Sequence, residues 1–219
     1  MDLGCVISEL SNKRPVFHSE ADFQHALAWT IHSLYPDIKV RLEYPASGLD
    51  AHIDILVRSG KEEWPIEVKY KTKKLDVQID GEKFFLKSQG AADQARYAFF
   101  KDIKRLEAET TSRTRTVGYA VMLTNDALLW RPANKPDVFD LNFHIHEGRT
   151  ASGKLKWDEQ ASKGTMSVGA EPIELANTYL LSWADYSRPV ECKNGLFRLL
   201  IVRVLSVNSV RASTHPTLV

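Results

Sequence analysis

The chain has 219 residues and a mass of 24.8 kDa, with 43% apolar and 26% charged residues. That composition supports a hydrophobic core and excludes wholesale disorder, and a net charge of +1 excludes partner binding built on a global basic excess. Cys5 and Cys192 form no CxxC pair and are too few for a closed zinc site of thiolates.

The first residues, Met1 to Cys5, lack the basic segment and apolar run of a secretory signal. The apolar stretch Leu196 to Val207 is interrupted by Arg198 and Arg203 and is too short to span a bilayer. The expectation is a soluble, reduced, cytoplasmic protein. With no repeat or Pro/Ser-rich linker, residues 1–219 read as one domain, with a core over 17–125 and a β-rich extension over 126–219.

The first strong element runs from Ser19 to about Tyr35. Ser19 can cap the first turn, with Asp22 three residues on. Phe23, Leu27, Ile31 and Leu34 then recur at helical spacing, and Pro36 ends the helix. A strand is expected over Lys39 to Tyr44, followed by the loop Pro45 to Gly48. Two more strands, His52 to Arg58 and Trp64 to Tyr70, flank a hairpin turn at Ser59-Gly60-Lys61-Glu62. Pro65 cannot donate to a ladder and is read as the start of the second strand. A charged, irregular segment follows. Helical spacing returns from Ala91 to about Ala108 through Ala95, Phe99, Ile103 and Leu106, and Thr116 to Thr124 is a buried strand. Further strands are expected near 138–146, 177–184 and 196–207, with a long loop or hairpin over the glycine-bearing 147–170.

The chemistry lies in the hairpin. A strand has a side-chain period of two, so Glu67 and Lys69 share one face while Ile66 and Val68 point to the other. Asp54 is likewise set between Ile53 and Ile55. Folding about Gly60-Lys61 places Asp54 opposite Glu67, within a slip of one or two residues. Opposed residues have Cβ atoms roughly 4.5–5.5 Å apart. Two half-buried carboxylates that close repel each other unless a shared proton or a cation offsets the repulsion. A hard divalent cation takes oxygen ligands, and Lys69 adds a fixed positive charge.

Asp54, twelve intervening residues and then Glu67-Val68-Lys69 on the next strand resemble the PD-(D/E)XK nuclease superfamily. The preceding helix with Glu20, and the helix and strand that follow, resemble that family's α-β-β-β-α-β core over roughly residues 17–125. One departure is Ile53, where the family name has proline. An E-x-K tripeptide alone means little: Glu191-Cys192-Lys193 also fits, but lies between Pro189 and the turn-like Asn194-Gly195 with no strand around it. A surface hairpin carrying a cross-strand salt bridge is the plain alternative.

The resemblance implies a three-layer α/β, restriction-endonuclease-like fold with a mixed central sheet, and hydrolysis of DNA phosphodiesters with Mg²⁺, or Mn²⁺ in its place. Asp54 and Glu67 would bind the metal, with the Val68 carbonyl as a further ligand. Lys69 would orient water or stabilise charge on the phosphoryl oxygens. Glu20, on the apolar face of its helix, would be an additional catalytic or metal contact; complementing the helix dipole is its other reading. Gln94 would contact the site or the DNA backbone. Lys71, Lys73 and Lys74 form a basic run beside the motif, and Lys101, Lys104 and Arg105 cluster on the later helix, all able to contact phosphates. The extension could shape a DNA cleft, mediate homodimerisation or contact another partner, and restriction or defence against mobile DNA is the expected setting. Two rivals stand beside this reading. One is a DNA- or protein-binding module that keeps the fold without cutting. The other is a zinc hydrolase using His144 and His146, which would share a strand face before Glu147. Tyr179, Leu181 and Trp183 alternate as core. No P-loop, dinucleotide fingerprint or nucleophile elbow is present, so no nucleotide cofactor is expected.

Overall fold

The computed structural model describes residues 1–48, 51–133, 135 and 137–206. Its centre is a six-stranded mixed sheet in the order β1-β2-β3-β6-β10-β9. The strands are β1 (Lys39–Pro45), β2 (His52–Ser59), β3 (Glu62–Lys71), β6 (Val117–Thr124), β9 (Trp183–Ser187) and β10 (Phe197–Leu205). Neighbours are antiparallel except β3 and β6, which run parallel from Ile66↔Tyr119 to Lys71↔Thr124.

Helices cover both faces. On one, α1 (Leu3–Lys13) and α2 (Glu20–Leu34) pack Val6, Leu10, Phe23, Leu27 and Ile31 against Ile55, Ile66, Val68 and Val121. On the other, α3 (Ala92–Ser112) packs Phe99, Ile103 and Leu106 against Ala120, Met122 and Val202. Glu67 pairs across β3–β6 with Ala120 and Lys69 with Met122, so both lie on the α3 face. Among the described residues no helix is long and apolar enough to cross a membrane.

The hairpin register matches the expectation: Ile55 faces Ile66, Val57 faces Trp64, and Ser59 faces Glu62. Ser19 caps α2 by accepting the Asp22 N–H at 3.1 Å. Pro65, read as a strand start, instead lies inside β3 opposite Leu56, one residue before the continuous pairing with β6 begins.

Elsewhere the chain departs from expectation for identifiable reasons. The N-terminal helix α1 was not expected. Asp2 caps it, accepting the N–H groups of Gly4 and Cys5, and Leu3, Val6 and Leu10 form its buried stripe. The segment read as irregular after Lys74 is a hairpin of β4 (Leu75–Ile79) and β5 (Glu82–Leu86). Its turn is Asp80-Gly81, both at positive φ, the geometry of a tight hairpin. After α4 (Ala127–Trp130), the strand expected over 138–146 is replaced by a single 3-10 turn, Leu141–Phe143. Here the carbonyls of Asn142 and His144 accept hydrogen bonds from the Arg149 guanidinium. Within 147–170, β7 (Thr150–Leu155) pairs with β8 (Ile173–Leu180), and Glu107 of α3 anchors β8 by accepting the Ala176 and Asn177 N–H groups. The expected strand 177–184 spans the end of β8 and the start of β9, with the crossing between sheets at Leu181. The strand expected over 196–207 is β10, residue 207 lying outside the described residues.

Gly118 sets the approach of α3 to the sheet. A Cβ there would meet Leu106 Cβ at 3.1 Å and Val204 Cβ at 3.3 Å. Overpacking this contact with Gly118→Val is expected to cost about 1–3 kcal/mol in urea denaturation. A loss under about 0.5 kcal/mol, the range of an ordinary surface substitution, would show that the contact does not constrain α3.

Candidate active site

The β2–β3 ladder ends at Ile55↔Ile66, while β2 stays paired with β1 through Ile53 and His52. The two strands therefore part just where Asp54 and Glu67 would face each other. Beyond that point the β3 backbone takes side-chain partners. The Val68 N–H donates to Asp54 Oδ2 at 2.7 Å and the Tyr70 N–H donates to Glu20 Oε2 at 2.8 Å. Two carboxylates thus replace the carbonyls a continued β2 would supply, which meets the requirement that backbone donors be paired.

Gln24 of α2 holds the gap from the other side, donating to the Asp54 carbonyl at 2.8 Å and to Glu43 Oε1 at 2.7 Å. Glu43 falls between the pairs Leu42↔Ile55 and Tyr44↔Ile53, opposite Asp54, with a left-handed backbone at φ 49°.

Asp102 and Arg105 of α3 complete the cluster. Lys69 Nζ lies 2.9 Å from Asp102 Oδ2 and donates to the Val68 carbonyl at 3.2 Å. Arg105 bridges two acids, at 2.6 Å from Glu67 Oε1 and 3.3 Å from Asp102 Oδ1. Glu67 is 1% exposed, and among the described residues its Oε2 has no hydrogen-bond partner.

Burial, followed by the neighbouring Asp102 and Asp54 charges, pushes the Glu67 carboxyl up to about 9 against the pull of Arg105. Burial also raises Asp102, opposed by Lys69 and Arg105. For Lys69 burial works against the ammonium, but Asp102, Asp54 and Glu20 outweigh it and hold the group charged above its ordinary range. Glu20 is exposed as a residue, yet its carboxylate tip turns inward to Tyr70, and burial of that tip raises its pKa.

Four carboxylates (Glu20, Asp54, Glu67 and Asp102) thus share a small region with two cations, Lys69 and Arg105. Carboxylate and carbonyl oxygens are the donors a hard divalent ion takes, and the unpartnered Glu67 Oε2 is a ligand atom without a mate. The donor set fits such an ion chemically. Among the described residues, however, no three His, Cys, Asp or Glu side chains are grouped closely enough to hold one as they stand. Arg105 and Lys69 occupy the acids instead.

The remaining candidates divide. Lys71 is half-buried and, with Glu20, Lys69 and Gln89, lines a cleft of about 290 Å³, where burial lowers its pKa. Lys73 is engaged by Asp126, Nζ to Oδ2 at 3.1 Å, while Lys74 and Lys101 are exposed. Gln94 turns away from the cluster and donates to the Gly164 carbonyl and Ser167 Oγ. His144 is buried against Asp140 at 3.1 Å, and His146 hydrogen-bonds the Glu147 carbonyl. The expected shared strand face is absent, and those histidines are in no metal-holding group among the described residues.

Sequence reading missed Asp102 and Gln24, and it gave Arg105 only as a phosphate contact, whereas the structure pairs it with Glu67 and Asp102. The signal for Asp102 was available. It lies three residues after Phe99 and seven after Ala95, so it continues the inward stripe of α3, where a carboxylate needs a partner.

With the Glu67 carboxyl held near 9 in the folded chain and near 4.5 when unfolded, the folded state binds the extra proton between those values. Its contribution to stability is full below pH 4.5 and is lost as pH rises towards 9. Glu67→Gln, which cannot ionise, should therefore gain stability relative to wild type between pH 5 and pH 9 in chelator-containing buffer, by on the order of a few kcal/mol. Urea melts showing a pH-independent difference would contradict the assignment.

Comparisons of the chain with protein-family models, with curated proteins and with solved structures gave no match.

Proposed function

We propose that this chain is a divalent-metal-dependent deoxyribonuclease with a restriction-endonuclease-like core of the PD-(D/E)XK type. The observation that carries this reading is the convergence of Asp54, Glu67 and Lys69 where β2 leaves β3, with the Asp54 carboxylate bound to the Val68 N–H inside the motif itself.

Asp54, Glu67 and the Val68 carbonyl would hold Mg²⁺ or Mn²⁺, with Glu20 as a further acidic contact. The ion would supply charge stabilisation at the phosphate and a more acidic water. Lys69, kept protonated by Asp102, Asp54 and Glu20, presents a fixed ammonium to an anionic phosphoryl group, a role suited to charge that builds in the transition state. Lys71, at the cleft, and the exposed Lys74 and Lys101 would hold backbone phosphates without reading bases. Restriction or defence against mobile DNA is the biological setting we favour.

One observation favours a second reading. Lys69 and Arg105 already contact Asp102 and Glu67, and among the described residues the acids are not gathered into a three-acid group, as expected of a module that keeps the fold and binds DNA or protein without cutting. Mg²⁺ or Mn²⁺ binding separates the two.

The test is a cleavage screen over duplex, branched and single-stranded DNA with Mg²⁺ or Mn²⁺. Asp54→Ala and Lys69→Ala, each checked for retained folding, should lose about 100-fold or more of the cutting rate. Cutting that survives both substitutions would remove the active site from this location.

A further inference from the structure

We infer that Arg105 is a resident counter-cation that occupies the metal's place on Glu67 and must be displaced for a divalent ion to bind, after which its guanidinium is free to meet a substrate phosphate. This rests on the proposed nuclease reading and extends it to a residue on α3 outside the hairpin motif.

Geometry supports the role at three points. Arg105 reaches Glu67 Oε1 at 2.6 Å, a strong charge-assisted contact with one oxygen of a carboxylate whose other oxygen is buried without a partner among the described residues. Its second acid, Asp102 Oδ1, lies at 3.3 Å, and the other Asp102 oxygen belongs to Lys69 at 2.9 Å. Losing Glu67 would therefore leave Arg105 tethered to Asp102 and not expelled into solvent. Arg105 is partly exposed, with 20% of its side-chain surface open to solvent against 5% for Asp102.

The electrostatics give the direction. An ionised Glu67 beside Asp54 and Asp102 is repelled in a poorly solvated place, and the guanidinium that contacts Glu67 and Asp102 relieves part of that repulsion. A divalent ion held by Glu67 and Asp54 would bring two positive charges beside Arg105, and the two cations would repel each other and compete for the Glu67 carboxyl group. Guanidinium forks bind phosphate in the same bidentate way as carboxylate, so the displaced group would gain a partner when a phosphodiester arrives.

Calorimetric titration of the full chain with Mn²⁺ alone tests the competition. Arg105→Gln should bind Mn²⁺ about tenfold more tightly than wild type, the loss of one charge-assisted contact, while Arg105→Lys, which keeps a cation there, stays close to wild type. The intact wild type provides a second readout that needs no folded Arg105→Gln. In ¹⁵N-arginine NMR, Mg²⁺ should shift the Arg105 Nε resonance, assigned by its absence in Arg105→Lys. With Ca²⁺ in place of a cleavage-supporting ion, Arg105→Gln should bind duplex DNA severalfold more weakly. If wild type binds Mn²⁺ and Arg105→Gln binds it equally or less well, with the Arg105 resonance unmoved, the role of Arg105 fails and the nuclease reading stands. If neither protein binds Mn²⁺, both fail together. Tighter Mn²⁺ binding with unchanged DNA affinity would overturn the phosphate half of the inference.

Discussion

Everything distinctive about this molecule depends on β2 and β3 parting after Ile55↔Ile66. A continued antiparallel ladder would bring Asp54 and Glu67 side by side on the α3 face and saturate the Val68 and Tyr70 N–H groups with backbone carbonyls. Separation leaves those donors open, and Asp54 and Glu20 close them. The carboxylates are thus held by backbone geometry, which fixes their oxygens more firmly than a salt bridge between two long side chains would. The gap has a conformational cost. Glu43, opposite Asp54, takes a left-handed conformation that disfavours an L-residue by about 1–2 kcal/mol, and the bonds from Gln24 to Glu43 and to the Asp54 carbonyl help to sustain it.

The second consequence is electrostatic. A hairpin alone could pair Asp54 with Lys69 and remain neutral. Here Lys69 is drawn instead to Asp102, a residue of a helix some thirty positions later in the chain, and Arg105 is drawn to Glu67. The acids outnumber the cations, and the strain of that imbalance falls on Glu67, the most buried of the hairpin's charged groups. Structural ion pairs are commonly balanced because an uncompensated buried charge is costly. Here the imbalance is met in part by a proton, since burial and the neighbouring acids hold the Glu67 carboxyl up to about 9.

How much of this was legible follows from the range of the interactions concerned. The hairpin register was readable because a two-residue period and a marked turn, Gly60-Lys61, are both local. The α2 cap and its stripe were readable for the same reason. The β4–β5 hairpin was equally local, with Leu75, Val77 and Ile79 alternating up to Asp80-Gly81, but the charged residues that flank and interrupt this short run mask its period. Helix α1 was local too, its cap and stripe standing in the first ten residues. By contrast, the partnership of Lys69 with Asp102 is set by tertiary packing, and no spacing along the chain encodes it.

The C-terminal strands bear on the site through the sheet. β10 pairs with β6 from Arg198↔Thr124 to Leu205↔Val117, so β6 is flanked on both sides and the parallel β3–β6 pair becomes the sheet's interior. The region after residue 125 is thereby part of the framework that holds β3, since a β6 left as an edge would be free to twist or slip. Parallel neighbours also point their carboxyl ends the same way, and in open α/β sheets those ends form the natural ligand crevice. Lys71 and Lys73 stand at that end of β3, and Asn125 fixes its exit by accepting the Lys73 N–H and donating to the Asn194 carbonyl from the loop before β10. One asparagine therefore ties the basic end of β3 to the chain's last strand pair. The cleft beside Glu20 and Lys69 opens at this same end, so the extension determines where the basic segment lies relative to the acids, even though it contributes no acid of its own to the cluster.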